Sequence, residues 1–257
     1  MGKLISPNEK EIEKLLTPLT EGEKKVLDIF KEKTSDECEI YVQPHLNGSR
    51  PDFILLNSKT GIAIFEIKDW TKETLQFVVK KQKKNPIADV WNYKKKIHDL
   101  YCPRLYAESL GVRKTGYAAI SAGLIFTNVL QKDLDQLMEI SELYSWIKNH
   151  PYQTLSGKEA VEKNYIEKIF PHYNLKSSQI FGPEHADDLR NWLIEPDYSK
   201  EQRNKIILNW HQRQIVKSRT VSGYRKIAGS SGSGKSLVLV ERANKILSEN
   251  ENKKILF

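Results

Sequence analysis

No stretch of this 257-residue chain approaches the roughly 18 consecutive apolar residues that a membrane-spanning helix requires. The opening MGKLISPNEKEIEKLL interleaves charges with apolar positions and has no small-residue cleavage site, so it does not read as a secretory signal. A cytoplasmic protein with no membrane partner is the expectation. Cysteine is equally sparse. Cys38 and Cys102 lie far apart without CxxC or Cys/His spacing, which argues against a zinc site or a disulfide framework and leaves them as buried small hydrophobes. His45, His98, His150, His172, His185 and His211 share no metal-ligand spacing either. No internal repeat is found.

What is present in quantity is positive charge. Lys and Arg number 41 against 33 Asp and Glu, giving +8 and a pI near 9.2. That balance suits a polyanionic partner such as DNA. With 39% hydrophobic residues the chain is long enough to bury one large or two modest cores. A Ser-, Gly- and Pro-rich stretch at 174–183 and a second change at Glu195-Pro196-Asp197 place the expected domain boundary, giving domains 1–195 and 196–257.

Local signals order the elements. Ser6-Pro7-Asn8-Glu9 has the form of a capping box with proline at the first helical position, and Ile12, Leu15 and Leu16 follow at helical spacing. Thr20-Glu21-Gly22-Glu23 repeats that signature ahead of the apolar stripe Val26, Leu27 and Phe30. A short strand is expected over 39–42. Phe53-Ile54-Leu55-Leu56 and Ile62-Ala63-Ile64-Phe65, flanking Asn57-Ser58-Lys59-Thr60-Gly61, read as a hairpin. Another strand is expected over 75–79, followed by the basic run Lys80-Lys81-Gln82-Lys83-Lys84, a candidate to track a phosphate backbone. Val90, Tyr93, Ile97 and Leu100 predict a helix over 87–100. Residues 117–126 read as a buried strand, and 134–147 and 157–170 as helices. Trp70 and Trp91 are read as packing residues. This mixture predicts an α/β domain whose mixed sheet is covered by helices on both faces.

Glu66-Ile67-Lys68 closes an apolar strand, so the charged side chains at i and i+2 project from one face. Asp52 opens the preceding strand, and hairpin pairing would bring it beside Glu66. Unpaired charges among near-continuous apolar residues are costly. A divalent cation would compensate them: Asp52 and Glu66, helped by the Ile67 carbonyl, are hard oxygen ligands for Mg²⁺ or Mn²⁺. Such an ion lowers the pKa of a bound water and offsets charge on a pentacoordinate phosphate. Lys68 is placed to orient that water or stabilise developing charge.

Arg50-Pro51-Asp52-Phe53 followed by Gly61-Ile62-Ala63-Ile64-Phe65-Glu66-Ile67-Lys68-Asp69-Trp70 resembles the core motif of the nuclease-related domain, a branch of the PD-(D/E)xK nucleases. The resemblance extends to Gly22-Glu23, Asn85-Pro86 with the helix after it, and Leu124-Ile125-Phe126, spanning roughly residues 21–170. It implies a restriction-endonuclease-like core and metal-dependent hydrolysis of DNA leaving a 5′-phosphate. Asp52, Glu66 and Lys68 would be catalytic, and Glu23 would join the metal site. Glu23 is also the reciprocal glutamate of the Thr20 capping box, and both roles stay open. Members related to RecB-type nucleases often carry Gln-x-x-x-Tyr on the later helix. Here Asp89 stands in place of the glutamine, with Tyr93 four residues on, which leaves the role of this pair undecided.

Near the other end, Gly229-Ser230-Ser231-Gly232-Ser233-Gly234-Lys235-Ser236 satisfies GxxxxGK[ST]. In such a loop backbone N–H groups wrap phosphates, Lys235 reaches the β/γ oxygens, and Ser236 can join a Mg²⁺ shell. A strand over 224–228 and a helix over 237–247 are expected around it, after a polar helix over 200–217 and before the opening of a strand at 253–257. With Arg242-Ala243 and Lys254-Ile255-Leu256-Phe257, the loop resembles the first segment of UvrD-like superfamily 1 helicases. That implies ATP as cofactor of a complete helicase, Gln214 as the adenine-reading glutamine with Gln212 as the alternative, and an incomplete RecA-like segment here. Too few residues follow for a Walker B acid or a second lobe. The expectation is a truncated nuclease-helicase whose ATPase does not work alone, with the missing lobes as partners.

Overall fold

In the computed structural model the structure describes all residues except 14, 16, 45, 47, 82–84, 111–115, 140–152, 195–206, 219–225, 250–253 and 255–257. The chain divides into two compact units, Met1–Glu195 and Pro196–Phe257.

Six strands, β1 (Lys3–Ser6), β2 (Glu39–Val42), β3 (Phe53–Asn57), β4 (Gly61–Lys68), β5 (Ile120–Phe126) and β6 (Gln153–Ser156), form one sheet of the first unit in sequence order. The pairs β2–β3 and β3–β4 are antiparallel, whereas β1–β2, β4–β5 and β5–β6 are parallel. The expected hairpin is thus β3–β4, in register Phe53 to Phe65 and Asn57 to Gly61. Both strands are near-continuous apolar runs because helices cover both faces, leaving no solvated side to demand alternation. The α/β class with a mixed sheet is confirmed.

One face carries α2 (Glu21–Lys33), α7 (Lys158–Glu162) and α8 (Ile166–Ile169). Val26, Leu27 and Phe30 of α2 pack there on Phe53, Leu55, Ala63, Phe65 and Ile67. Phe30 lies 4.8 Å from Phe65, centroid to centroid, and edge-on to Phe53 at 5.7 Å. The opposite face carries α3 (Lys72–Lys81), α4 (Pro86–Lys96), a π-helical turn at Ile97–Tyr101, α5 (Pro103–Ser109), α6 (Gln131–Glu139) and α9 (Pro183–Leu193). Its core joins Ile54, Leu56, Ile62 and Ile64 to Ile97, Leu105 and Leu189, and Leu124 and Phe126 to Leu75, Ile87 and Val90. Trp70 packs on Phe126 and Trp91 on Tyr117, and both cysteines are buried.

Several expectations are corrected. Residues 75–79 form part of α3, not a strand: among the described side chains Leu75 is buried while Phe77 is exposed, a one-sided pattern that a helix serves. Lys80 therefore lies in a helix rather than at a strand end, and 82–84 of the basic run lie outside the described residues. The first helix, α1 (Glu9–Ile12), is capped by Asn8 with Glu11 as reciprocal partner; Ser6 instead ends β1. Residues 116–119 form a 3₁₀ turn ahead of β5. The helix over 157–170 is broken at 163–165, where Asn164 has φ 53°. The later part of the helix over 134–147 lies outside the described residues.

Polar ties fasten α9 to β2. Arg190 donates from Nε (3.1 Å) and Nη2 (2.7 Å) to the two oxygens of Glu39, which also accepts from the Tyr41 hydroxyl at 2.6 Å. The ion pair is only partly buried, so its worth is discounted for solvent. Replacing Arg190 with Ala is expected to cost about 1–2 kcal/mol, read by urea denaturation. An unchanged midpoint would show that α9 docks by its apolar face alone.

In the second unit, α10 (Trp210–Lys217) packs on α11 (Lys235–Glu249), and Arg242 Nη1 donates to the carbonyls of Ile215 (2.9 Å) and Ser218 (2.7 Å). Residues 226–228 have no strand structure, which corrects the described part of the strand expected over 224–228. The remainder, most of the strand expected at 253–257, and 200–206 of the polar helix lie outside the described residues. Among the described residues, no helix is long and apolar enough to cross a membrane.

Candidate active site at the end of the central hairpin

The β3–β4 register, extended one residue past Phe53–Phe65, sets Asp52 opposite Glu66. By alternation these two and Lys68 lie on the sheet face of Ile62 and Ile64, the face covered by α4. Asp52 Oδ2 accepts from the Ile67 N–H at 2.7 Å. In a strand the N–H and C=O of one residue point to the same side. The Ile67 carbonyl is therefore directed to the Asp52 side, while the Lys68 carbonyl, on the other side, accepts from Thr127 N–H at 3.2 Å.

Glu66 is the costly member. Its side chain is only 9% exposed. One oxygen, Oε1, accepts from the Lys68 ammonium; the other, Oε2, is buried with no hydrogen-bond partner. Burial drives the Glu66 carboxyl above the usual carboxylate range against the opposing pull of Lys68. Burial, then the charge of Glu66, pushes Asp52 up to about 7. Two carboxylates and one carbonyl at the same strand end, with an orphaned oxygen among them, fit a hard divalent cation that retains several waters. Among the described residues no three His, Cys, Asp or Glu side chains converge closely enough to hold a metal.

Glu23 stands at the border. As N3 of α2 it closes the capping box: its Oε2 accepts from Thr20 N–H at 2.9 Å, and Thr20 Oγ1 accepts from Glu23 N–H at 3.2 Å. The same side chain is buried, and the charges of Lys68 and Glu66 reach it, so capping and proximity to the site hold together. Burial raises its carboxyl above the ordinary range.

The sequence reading missed how α2 is aimed. Asp69 accepts from Gly22 N–H at 3.2 Å and from the Thr127 hydroxyl, and its own carbonyl accepts from Asn128 Nδ2 at 3.1 Å. This carboxylate, next in sequence to Lys68, binds a free N–H of the first helical turn. A Cβ on Gly22 would lie 1.9 Å from Asp69 Oδ1 and 2.6 Å from Thr127 Cγ2. The available signal was Gly22 itself, a poor helix former inside the first turn. Asp89 and Tyr93, undecided from sequence, both come within electrostatic reach of Glu66.

The raised carboxyls give a pH dependence of definite sign. Asp52 is protonated more readily in the folded protein than its ordinary value of 3.8 allows, so its ionisation opposes folding. The penalty is absent below about pH 4, grows between there and about pH 7, and is complete above. In EDTA the wild type is expected to lose more melting temperature between pH 5 and 8 than Asp52→Asn does, as thermal melts would register. Parallel pH profiles would contradict it.

In the second unit Gly232 and Gly234 have φ of 76° and 80°, a region open to glycine. Lys235 Nζ donates to the carbonyls of Gly229 (3.0 Å) and Ser230 (2.7 Å), and Ser236 follows in α11. Gln212, rather than the exposed Gln214, reaches the loop, its Nε2 donating to the Ser233 carbonyl at 3.2 Å.

Comparison with known families matches residues 19–114 to the family described as NERD, the nuclease-related domain. The span takes in Gly22, Glu23, Asp52, Glu66, Lys68, Asp89 and Tyr93, is shorter than the sequence resemblance suggested, and stops well before Gly229. No curated protein and no solved structure matches the chain.

Proposed function

We propose that the first unit is a metal-dependent phosphodiesterase acting on DNA. The orphaned, buried Glu66 Oε2 beside Asp52 carries this reading. A protein does not keep two charge-coupled carboxylates at the end of an apolar hairpin without compensation, and a divalent cation supplies it. Asp52, Glu66 and the Ile67 carbonyl would hold Mg²⁺ or Mn²⁺. When bound, the ion acidifies a water and neutralises charge on the scissile phosphate.

The remaining roles belong to the chain. Lys68, its ammonium steered by Glu66 Oε1, is aimed at the same edge to orient the attacking water or to stabilise developing negative charge. Glu23 completes the acidic border, anchored by Thr20. Asp69 acts on neither water nor phosphate; it positions α2. The excess of basic residues favours a polyanionic substrate, and the nuclease-related match supports DNA. The test is incubation of purified protein with plasmid and linear DNA in Mg²⁺, Mn²⁺ or EDTA. Cleavage in the metals and none in EDTA is expected; cleavage undiminished by EDTA would reject metal dependence.

A second reading draws on the loop at Gly229–Ser236, with its positive-φ glycines and Lys235 held at the loop mouth. There the nuclease fold grips DNA weakly or without cutting, and delivers to it a UvrD-like, ATP-dependent helicase. Gly229, Gly232, Gly234, Lys235 and Ser236 would cradle the nucleotide phosphates, with Gln212 or Gln214 beside the base. DNA binding that persists in EDTA, with no cleavage under any metal, would select this reading.

A further inference from the structure

Two exposed cations close on the loop that leads from β2 into Asp52, and neither is neutralised there. Arg50 donates from Nη2 to Gln43 Oε1 at 2.7 Å and from Nη1 to Thr17 Oγ1 at 3.3 Å. Lys96, in the last turn of α4, donates from Nζ to Ser49 Oγ at 2.7 Å. All three acceptors are uncharged. Among the described residues neither cation has a carboxylate within ion-pair distance.

The loop itself is fixed. Leu46 and Ser49 exchange backbone hydrogen bonds of 2.9 Å, Ser49 and Gln43 are buried, and Gln43 N–H donates to the Asp52 carbonyl at 2.8 Å. Gln43 holds φ 47°, a region unfavourable for a residue with a side chain. This one residue grips Asp52 with its backbone and Arg50 with its side chain. Thr17 precedes α2 and Lys96 belongs to α4, helices that cover opposite faces of the sheet, so the two cations flank the strand end that bears Asp52.

We propose that Arg50 and Lys96 hold backbone phosphates of DNA that flank the scissile one at the Asp52–Glu66 edge. The inference rests on DNA as the substrate in the reading above and adds the groups that seat it. Ordering a long exposed side chain costs rotamer entropy, up to about 2 kcal/mol for Arg or Lys, and hydrogen bonds to neutral acceptors offset only part of it. An anion that binds afterwards meets donors already in place. The Arg50 guanidinium keeps N–H donors beyond those bound by Gln43 and Thr17 and suits a phosphate in a planar, bidentate contact. The Lys96 ammonium adds a point charge.

The experiment is anisotropy of a fluorescent DNA duplex bound by the whole chain in EDTA over a series of salt concentrations, beside steady-state cleavage in Mg²⁺. Each neutralised phosphate releases a counterion. Arg50→Gln and Lys96→Gln are therefore each expected to lower the slope of log affinity against log salt by about 1, and the double variant by about 2. Arg50→Lys should keep the slope, and so should Lys59→Gln, in the turn at the opposite end of β3 from Asp52. In cleavage KM should rise while kcat stays near that of wild type. An unchanged slope in Arg50→Gln and Lys96→Gln overturns the proposal, as does a slope lowered equally by Lys59→Gln, which would report net charge alone. A fall in kcat with KM and slope intact would mean that the loop only positions Asp52, and overturns it too. A wild type that binds DNA through these two cations but cuts with no metal overturns the cleaving reading and leaves the phosphate contacts standing. A wild type that binds no DNA at low salt overturns both.

Discussion

Glu66→Gln is expected to cut DNA roughly 10³-fold more slowly than wild type while melting at the same temperature or higher in EDTA at pH 7–8. The two effects have one cause. In wild type the Glu66 carboxylate is buried, lacks a partner for Oε2 and shares its surroundings with Asp52. An amide of the same shape removes the charge, still offers an oxygen to Lys68, and can donate toward Asp52. The folded protein is relieved of a repulsion and the cation loses an anionic ligand. A residue that lowers stability while serving chemistry behaves in this way. A residue placed for structure would do the reverse: Glu66→Gln would melt lower and leave cleavage rates intact. Melts and cleavage rates on one preparation separate the cases.

The second large effect is expected at Gly22→Ala, a change of one methyl group outside the carboxylate–lysine trio. Alanine is the better helix former, by roughly 0.5–1 kcal/mol. Against this, the new Cβ would overlap Asp69 Oδ1 and press on Thr127 Cγ2. That carboxylate cannot simply turn away, because Gly22 N–H and the Thr127 hydroxyl both bind it. Overpacking of this kind costs about 1–3 kcal/mol and outweighs the propensity gain. The melting temperature should fall by about 2–4 °C per kcal/mol. The functional loss should exceed the stability loss. Asp69 follows Lys68 directly and Gly22 precedes Glu23, so the strain displaces both sides of the site. Misplacement by about 1 Å can cost 10²-fold in rate. Full activity in a destabilised Gly22→Ala protein would show that the α2 terminus and the site are uncoupled.

How much of this was legible in sequence varied with the range of the determining contact. The β3–β4 hairpin, the Thr20 capping box, and the Asp52–Glu66–Lys68 alignment depend on neighbours within one supersecondary unit, and each was readable. Strand β6 was not. Gln153–Ser156 is a short polar segment that becomes a strand by pairing with β5, a partner some thirty residues earlier. Helix α3 was misread because Leu-Gln-Phe-Val-Val is β-rich locally; burial of Leu75 against Phe126 and Ile87 decided its conformation. The Asp69 clamp and the Lys96–Ser49 tie escaped notice for the same reason, each bridging 47 residues. The electrostatic reach of Asp89 to Glu66 was likewise not legible, since it depends on how α4 lies across the sheet.

Cleavage of DNA at the Asp52–Glu66 edge with a metal ion is the central claim. The most direct measurement is conversion of supercoiled plasmid to nicked or linear forms by wild type and Glu66→Ala, purified alike and assayed side by side in Mg²⁺. Cleavage by wild type and its loss in the variant is the expected result. Equal cleavage by both proteins would place the activity elsewhere and contradict the assignment.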